Sequence, residues 1–224
     1  MPTLFIAGTG TDVGKTYVSA AIIRALRQAR VAVDALKPVA SGFDPAAPAG
    51  SDPAVLLEAL GRPWSGVALE EMSPWRYRAP LSPPLAAARE GRRLDGEAVI
   101  SLCRERAGAL GPETWMLVES AGGVMSPLDD RLTMLDLAVR LQAPIVLVAG
   151  SYLGTISHTL TATAVIAGAR LRLAGIIVSE SLGGPPPIHE TLADLAGRLS
   201  PTPVIALERG GLISHPLLAA LGLI

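Results

Sequence analysis

The sequence predicts an α/β fold with a mostly parallel central sheet held between two layers of helices. Three observations carry that expectation. Six short apolar runs recur along the chain, helical stretches separate them, and the first run opens into a glycine-rich turn that leads straight into a helical pattern. The runs cover residues 3–7, 31–36, 115–118, 145–149, 175–179 and 204–207. They are apolar on successive residues without alternation, as expected of parallel strands covered on both faces and joined by right-handed crossovers.

The helices follow from period and caps. Over residues 15–29, Val18, Ala21, Ile22, Ala25 and Leu26 fall at i, i+3, i+4, i+7 and i+8, a single stripe that faces the sheet. Residues 95–110, 133–141, 155–171 and 188–199 also read as helical, and Asp95 is placed to cap the first of these, with Glu97 favouring its dipole. Stretches 41–50, 62–84 and 182–187 are dense in Gly, Pro and Ser and predict irregular chain. None of them divides two compositions, and there is no internal repeat, so residues 1–224 are expected to form a single domain.

Composition narrows the function. The formal net charge is −1 with no long Lys/Arg cluster, which argues against a nucleic-acid partner. No apolar run reaches the ~18 residues needed to span a bilayer. The start of the chain lacks the layout of a secretory signal, and the lone Cys103 makes no internal disulfide, so a cytoplasmic location is expected.

The chemistry lies in Leu4-Phe5-Ile6-Ala7-Gly8-Thr9-Gly10-Thr11-Asp12-Val13-Gly14-Lys15-Thr16. Strand, glycine turn and helix follow in the order a phosphate cradle requires. Glycines let backbone N–H groups approach phosphates, Lys15 adds a positive charge, Thr16 a hydroxyl for a metal, and the helix its positive end. Five residues separate Gly8 from Gly14 where the strict motif has four, so the loop is one residue longer than standard. The fold class is therefore a P-loop NTPase-type three-layer arrangement.

Two further segments accompany the loop. Lys37-Pro38-Val39-Ala40-Ser41-Gly42 puts a lysine at the carboxyl end of a strand, where open α/β sheets hold ligands, and Ser51-Asp52 follows. Met116-Leu117-Val118-Glu119-Ser120-Ala121-Gly122-Gly123 is an apolar strand ending in a carboxylate and a glycine turn, the place of a magnesium ligand. Asp52 could alternatively cap a helix over residues 53–60.

With the segment Leu153-Gly154-Thr155-Ile156-Ser157-His158 and the strand start Ala174-Gly175 added, the chain over roughly residues 1 to 180 resembles the dethiobiotin synthetases of biotin biosynthesis. The resemblance implies a homodimeric, ATP- and Mg²⁺-dependent ligase that closes a cyclic urea on 7,8-diaminopelargonate (7,8-diaminononanoate) with CO₂, giving dethiobiotin, ADP and phosphate. One amine forms a carbamate, the γ-phosphoryl group converts it to a carbamic-phosphoric anhydride, and the second amine displaces phosphate.

The same resemblance assigns roles. Lys15, Lys37 and Thr11 are the implied catalytic groups. Thr16, Asp52 and Glu119 are the implied metal ligands. Asp12, Val13, Gly14, Lys15, Thr16, Asp52, Glu119, Gly122, Ser179 and Glu180 are implied to bind nucleotide. Ser41, Asp12 and Gly122 are implied to meet the diamine, and Gly154, Thr155 and Ser157 to present a helix start to the substrate carboxylate of a neighbouring protomer. Ser179-Glu180 stands where the family often has Asn-Asp, the Asn amide reading adenine, and a serine reads a base edge less completely.

The chief rival is a nucleotide-driven switch of the partition or septum-site type. Such switches usually carry a second lysine in the loop, where this chain has Gly8, Thr9 and Gly10. An amidating ligase related to cobyrinate synthesis normally appends a glutaminase domain, for which 224 residues leave no space. His158, His189 and His215 lack ligand spacing, and Cys103 reads as buried filler. Arg89, Arg92 and Arg93 read as a solvated face, while Trp75 and Tyr77 sit in a proline-rich stretch able to wall a pocket.

Overall fold

A computed structural model of the chain describes residues 2–181 and 186–224. In chain order the elements are β1 (Thr3–Gly8), α1 (Lys15–Gln28), β2 (Val33–Leu36), β3 (Val39–Ser41), α2 (Asp52–Ala59), α3 (Gly66–Met72), β4 (Trp75–Tyr77), α4 (Pro83–Arg89), α5 (Gly96–Gly108), β5 (Trp115–Gly123), α6 (Met134–Leu141), β6 (Ile145–Gly150), α7 (Thr155–Gly168), β7 (Leu173–Ser179), α8 (Ile188–Leu199), β8 (Val204–Leu207) and α9 (His215–Ala220).

Six strands form one parallel sheet in the order β2-β5-β1-β6-β7-β8. Successive side chains of each strand enter opposite layers. Leu4 and Ile6 of β1 join the core beneath α1, α2, α3 and α9, whereas Phe5 and Ala7 join the core beneath α4, α5, α6 and α7. That double burial is why the runs are apolar throughout. β1 is central: the chain leaves it towards β2 on one side, and β5 crosses to β6 on the other, so a crevice opens beyond the carboxyl ends of these strands.

All six expected strands and all five expected main helices are present, with shifted ends. The run expected from residue 31 becomes strand only at Val33, because Arg30 adopts a left-handed φ of 59° and Val31 N–H returns to the Leu26 carbonyl at 2.9 Å, closing the end of α1. The third run is longer than expected, since β5 continues through Glu119 to Gly123. Asp95 caps α5 as expected, accepting from Glu97 and Ala98 N–H at 3.0 and 3.3 Å.

Two stretches expected to be irregular are partly ordered. Ser41 ends β3, which pairs in parallel with β4 as a separate two-stranded sheet, and residues 62–84 contain α3, β4 and the start of α4. Residues 182–185 of the third stretch lie outside the described residues.

Behind the carboxyl end of β5, Asp129 gathers the loop. Its carboxylate accepts from Gly96, Arg131 and Leu132 N–H at 2.9, 2.8 and 2.7 Å. Burial pushes its acid strength one way, but these backbone donors and the Arg131 charge hold it below the ordinary 3.8. The charged form is thus the one the fold favours, and its stabilisation is present above that value and lost as pH falls through the lowered one. We expect Asp129→Asn to reduce unfolding free energy by about 1–2 kcal/mol near neutrality. In urea titrations the gap between variant and wild type should narrow as the solution is acidified below about pH 4; a gap that stays constant would contradict the role of the charge.

Candidate active site

The loop after β1 is shaped by close backbone contacts. At Gly8 an added Cβ would stand 2.8 Å from the Gly10 carbonyl and 3.0 Å from Lys15 Cδ, so only glycine lets the loop fold back over the strand end. Gly14 precedes α1 with φ of 92°, and its Cα side lies against Ser179 Oγ, leaving no space for a side chain. Asp12 is left-handed as well, at φ 56°. Val13 plugs the core beneath, so only its main chain faces the loop interior. Lys15 arches back to the Gly10 carbonyl at 2.9 Å. Its burial, reinforced by the nearby Lys37, lowers its pKa to about 8.

The sheet register supplies the next group. β2 pairs with β5 with Leu36 opposite Val118, so the following residues, Lys37 and Glu119, emerge side by side. Lys37 is 3% exposed and Glu119 0%. The Lys37 ammonium donates to Glu119 Oε1 at 2.6 Å and pairs with Asp52 Oδ2 at 2.8 Å, with the Ser120 carbonyl more distant at 3.4 Å. Burial disfavours the ammonium, yet the two carboxylates outweigh it and raise the Lys37 pKa above its ordinary value. For Asp52 burial acts upward, but the Lys37 charge and its hydrogen bond hold the carboxyl below the usual range.

Asp52 does not cap its helix. Ser51 occupies the N-cap position, Asp52 stands in the first turn, and its carboxylate is spent on Lys37. The alternative reading of Asp52 as a cap is therefore corrected by the geometry.

Thr16, from the first turn of α1, donates its hydroxyl to Glu119 Oε1 at 2.7 Å. Glu119 Oε2 is buried without a partner. A hydroxyl and two carboxylates thus converge, with one buried carboxylate oxygen unsatisfied. This donor set is all oxygen and suits Mg²⁺, which takes one or two carboxylates and completes its shell with water and phosphate.

One cavity of about 700 Å³ is lined by Thr11, Asp12, Gly14, Lys15, Thr16, Lys37, Ser41, Asp52 and Gly122, while Glu119 is fully buried and outside that lining. Ser41, at the end of β3, has a buried hydroxyl without a partner. Not every expected residue lies there. Ser179 is 5% exposed and packs under Gly14. Glu180 accepts the Arg209 N–H at 2.9 Å. At the start of α7, Thr155 is buried with its hydroxyl on the Gly150 carbonyl at 2.7 Å, while Gly154 and Ser157 are exposed and outside the cavity lining.

Other cavity residues escaped the sequence reading. Pro80, Leu81, Ser82 and Pro83 line the cavity beside Ser41 and Gly42, Ser126 holds Gly123 N–H at 2.8 Å, and Tyr17 also lines it. Trp75 and Tyr77, placed where they could wall a pocket, pack against the core and stand outside this cavity, and Tyr77 borders a separate recess with Phe43 and Arg92. A Ser-Pro-Pro start of helix at Ser82 was the available signal for the first wall; nothing local marked Ser126.

A family model describing an AAA domain matches residues 2–209. A curated relative from Caulobacter sp. (strain K31), named ATP-dependent dethiobiotin synthetase BioD, is 50% identical across 98% of this chain and 96% of its own length. The chain belongs to the dethiobiotin synthetase family. A relative of the same name from Methylobacterium nodulans is 46% identical over 94% of this chain and 95% of its own. The crystal structure of the signal recognition particle receptor FtsY from Elizabethkingia anophelis superposes with a TM-score of 0.52 at 12% identity, covering 91% of this chain and 57% of that one, a likeness of fold alone. Relatedness to dethiobiotin synthetases over nearly the full length, loop and ion cluster included, sets the nucleotide switch aside.

The buried cluster makes a measurable claim. Lys37→Met leaves Glu119 buried without its cation and should lower unfolding free energy by about 3 kcal/mol. Adding Glu119→Gln to that variant should recover most of the loss, so that the two changes are strongly non-additive in denaturant titrations. Simple additivity would show that the pair is not coupled.

Proposed function

We propose that this chain is a dethiobiotin synthetase that uses ATP to carboxylate and close the ring of 7,8-diaminopelargonate with CO₂. The observation that carries the reading is the convergence of the phosphate loop, Lys15, Lys37 and Asp52 on one cavity, with the buried Glu119 paired to Lys37, in a chain that shares half its residues with a protein of that name.

The chain's own groups divide the work. Loop amides and Lys15 grip the phosphate tail, and a polyanion there supplies the negative charge that favours the Lys15 ammonium. Lys37 stays charged, because two carboxylates raise its pKa. Its role is therefore electrostatic stabilisation of the carbamate and the transferring phosphoryl group, not proton donation. Two of its hydrogens are directed to Glu119 and Asp52, and the third has only the Ser120 carbonyl, at 3.4 Å. Thr16, Asp52 and Glu119 would hold Mg²⁺, which supplies charge neutralisation at the phosphates. Thr11 faces the acceptor region, and Ser41, Asp12 and Gly122 border the diamine, Ser41 offering its unpartnered hydroxyl. The chemistry needs positioned reactants and fixed charge more than a strong base.

The reading includes one P-loop domain per protomer, a cytoplasmic setting and a homodimer. No described helix is long and apolar enough to cross a membrane. Support for the dimer comes from the exposed chain at the start of α7, where Gly154, Ser157 and the 90% exposed Leu153 stand outside the lining of the chain's own cavity. A helix N-terminus suits a carboxylate reaching over from a second protomer.

Incubation with diaminopelargonate, bicarbonate, ATP and Mg²⁺ should give dethiobiotin detectable by mass. Lys15→Ala and Lys37→Ala, checked for folding by their melting curves, should each lose at least about a hundredfold in kcat. Removal of divalent metal by chelation should stop turnover, and added Mg²⁺ should restore it. Undiminished product from either folded lysine variant would overturn its role. For the dimer, specific activity should fall as the protein is diluted below its dissociation point, together with the scattering mass; activity that persists in the monomer would refute a shared site.

A further inference from the structure

The chain has two lysines, Lys15 and Lys37, and both line the same cavity. Their partners differ. The Lys37 ammonium sits on the two carboxylates assigned above to Mg²⁺, 2.6 Å from Glu119 Oε1 and 2.8 Å from Asp52 Oδ2. The Thr16 hydroxyl, third of that set, donates to the same Glu119 oxygen at 2.7 Å. Lys15 pairs with no carboxylate among the described residues, and its ammonium rests on the Gly10 carbonyl at 2.9 Å.

A divalent cation on those carboxylate oxygens would meet the Lys37 ammonium at close range, and like charges so placed in a buried site repel each other strongly. While Lys37 stays, Glu119 can offer only Oε2, which is buried and without a partner among the described residues. Nor can Lys37 act on a ligand from its present place. Two of its three hydrogens go to the carboxylates, and the third has only the Ser120 carbonyl at 3.4 Å. The long flexible stem of a lysine that already lines the cavity can carry the ammonium into it once the carboxylates are taken.

Resting on the proposed metal site, we infer that Lys37 is the internal stand-in for the divalent cation: it holds Asp52 and Glu119 in the metal-free chain and gives them up when metal binds. Metal binding and release of the ammonium are then one event. Lys37 becomes available to the carbamate and the phosphoryl group only in a chain that already carries its metal. The metal affinity is correspondingly reduced by the ion pair that must be broken.

Lysine-specific labelling reads the release directly, because only two side chains respond. In metal-free wild type labelled with ¹⁵N at lysine Nζ, and assigned by comparison with Lys15→Gln, the Lys37 ammonium hydrogens should exchange slowly with water. Saturating Mg²⁺, without nucleotide or second substrate, should speed that exchange at least about tenfold. Binding of Mn²⁺, counted by its electron spin resonance, supplies a second measurement. Lys37→Gln should bind Mn²⁺ at least about tenfold tighter than wild type, whereas Lys15→Gln, which removes an equal charge that pairs with no carboxylate, should gain about threefold or less. The exchange measurement on wild type decides the matter should Lys37→Gln not fold. Lys37 hydrogens that stay protected in saturating Mg²⁺, or a gain in Lys37→Gln no larger than in Lys15→Gln, would overturn the inference alone. Mn²⁺ binding that survives Asp52→Asn combined with Glu119→Gln, or that is absent from wild type and Lys37→Gln alike, would bring down the proposed metal site as well.

Discussion

The structure hangs on the buried ion pair between Lys37 and Glu119. A carboxylate in the middle of a parallel sheet with no exposure is costly unless a cation meets it. Here the cation comes from the neighbouring strand at the same level, because Leu36 stands opposite Val118. A slip of one residue between β2 and β5 would separate the charges and turn the alternating side chains into the wrong layers. The same carboxylate also takes the Thr16 hydroxyl, and the same ammonium takes Asp52. Three segments that are distant in sequence, α1, β2 and α2, are thereby pinned to β5 at one point.

That arrangement divides the two lysines. Lys37 has two carboxylate partners and is held charged, while Lys15, at the start of α1 in a buried setting, has only a carbonyl and is depressed to about 8. One cation has its counter-charges within the protein, and the other has no carboxylate in contact. A site with both lysines neutralised internally would have little attraction left for a triphosphate; one with neither would have to bury two unpaired charges.

Much of this was legible in the sequence, and for physical reasons. The phosphate loop is a local device, so Gly8, Gly14, Lys15 and Thr16 declare themselves by order and spacing. Lys37 and Glu119 could be placed at strand ends because the runs before them are uniformly apolar. Their mutual contact was not legible, since it depends on register. β3 and β4 have three residues each, too few for any period to register, and the prolines flanking them, Pro38, Pro74 and Pro80, pointed to loop instead. Ser179 was a reasonable candidate for reading a base by its position after β7, but whether a side chain faces a ligand or lies under Gly14 is set by packing. Tyr17 fits the helical pattern without remark, and its partner lies 191 residues later.

The walls of the cavity follow a different logic from its floor. The floor is main chain and buried charge, where almost any change disturbs several partners at once. The wall beside Ser41 is a turn hung on a bracket. Gly42 and Phe43 N–H reach the Ala79 and Tyr77 carbonyls at 3.1 and 2.9 Å, so the small β3–β4 sheet carries Ser41 and the Pro80–Pro83 wall as one piece. These bonds are separate from those that join Lys37 to Glu119 and Asp52. Loops placed on a rigid scaffold in this manner are where selectivity between ligands is free to change while the transfer chemistry stays fixed.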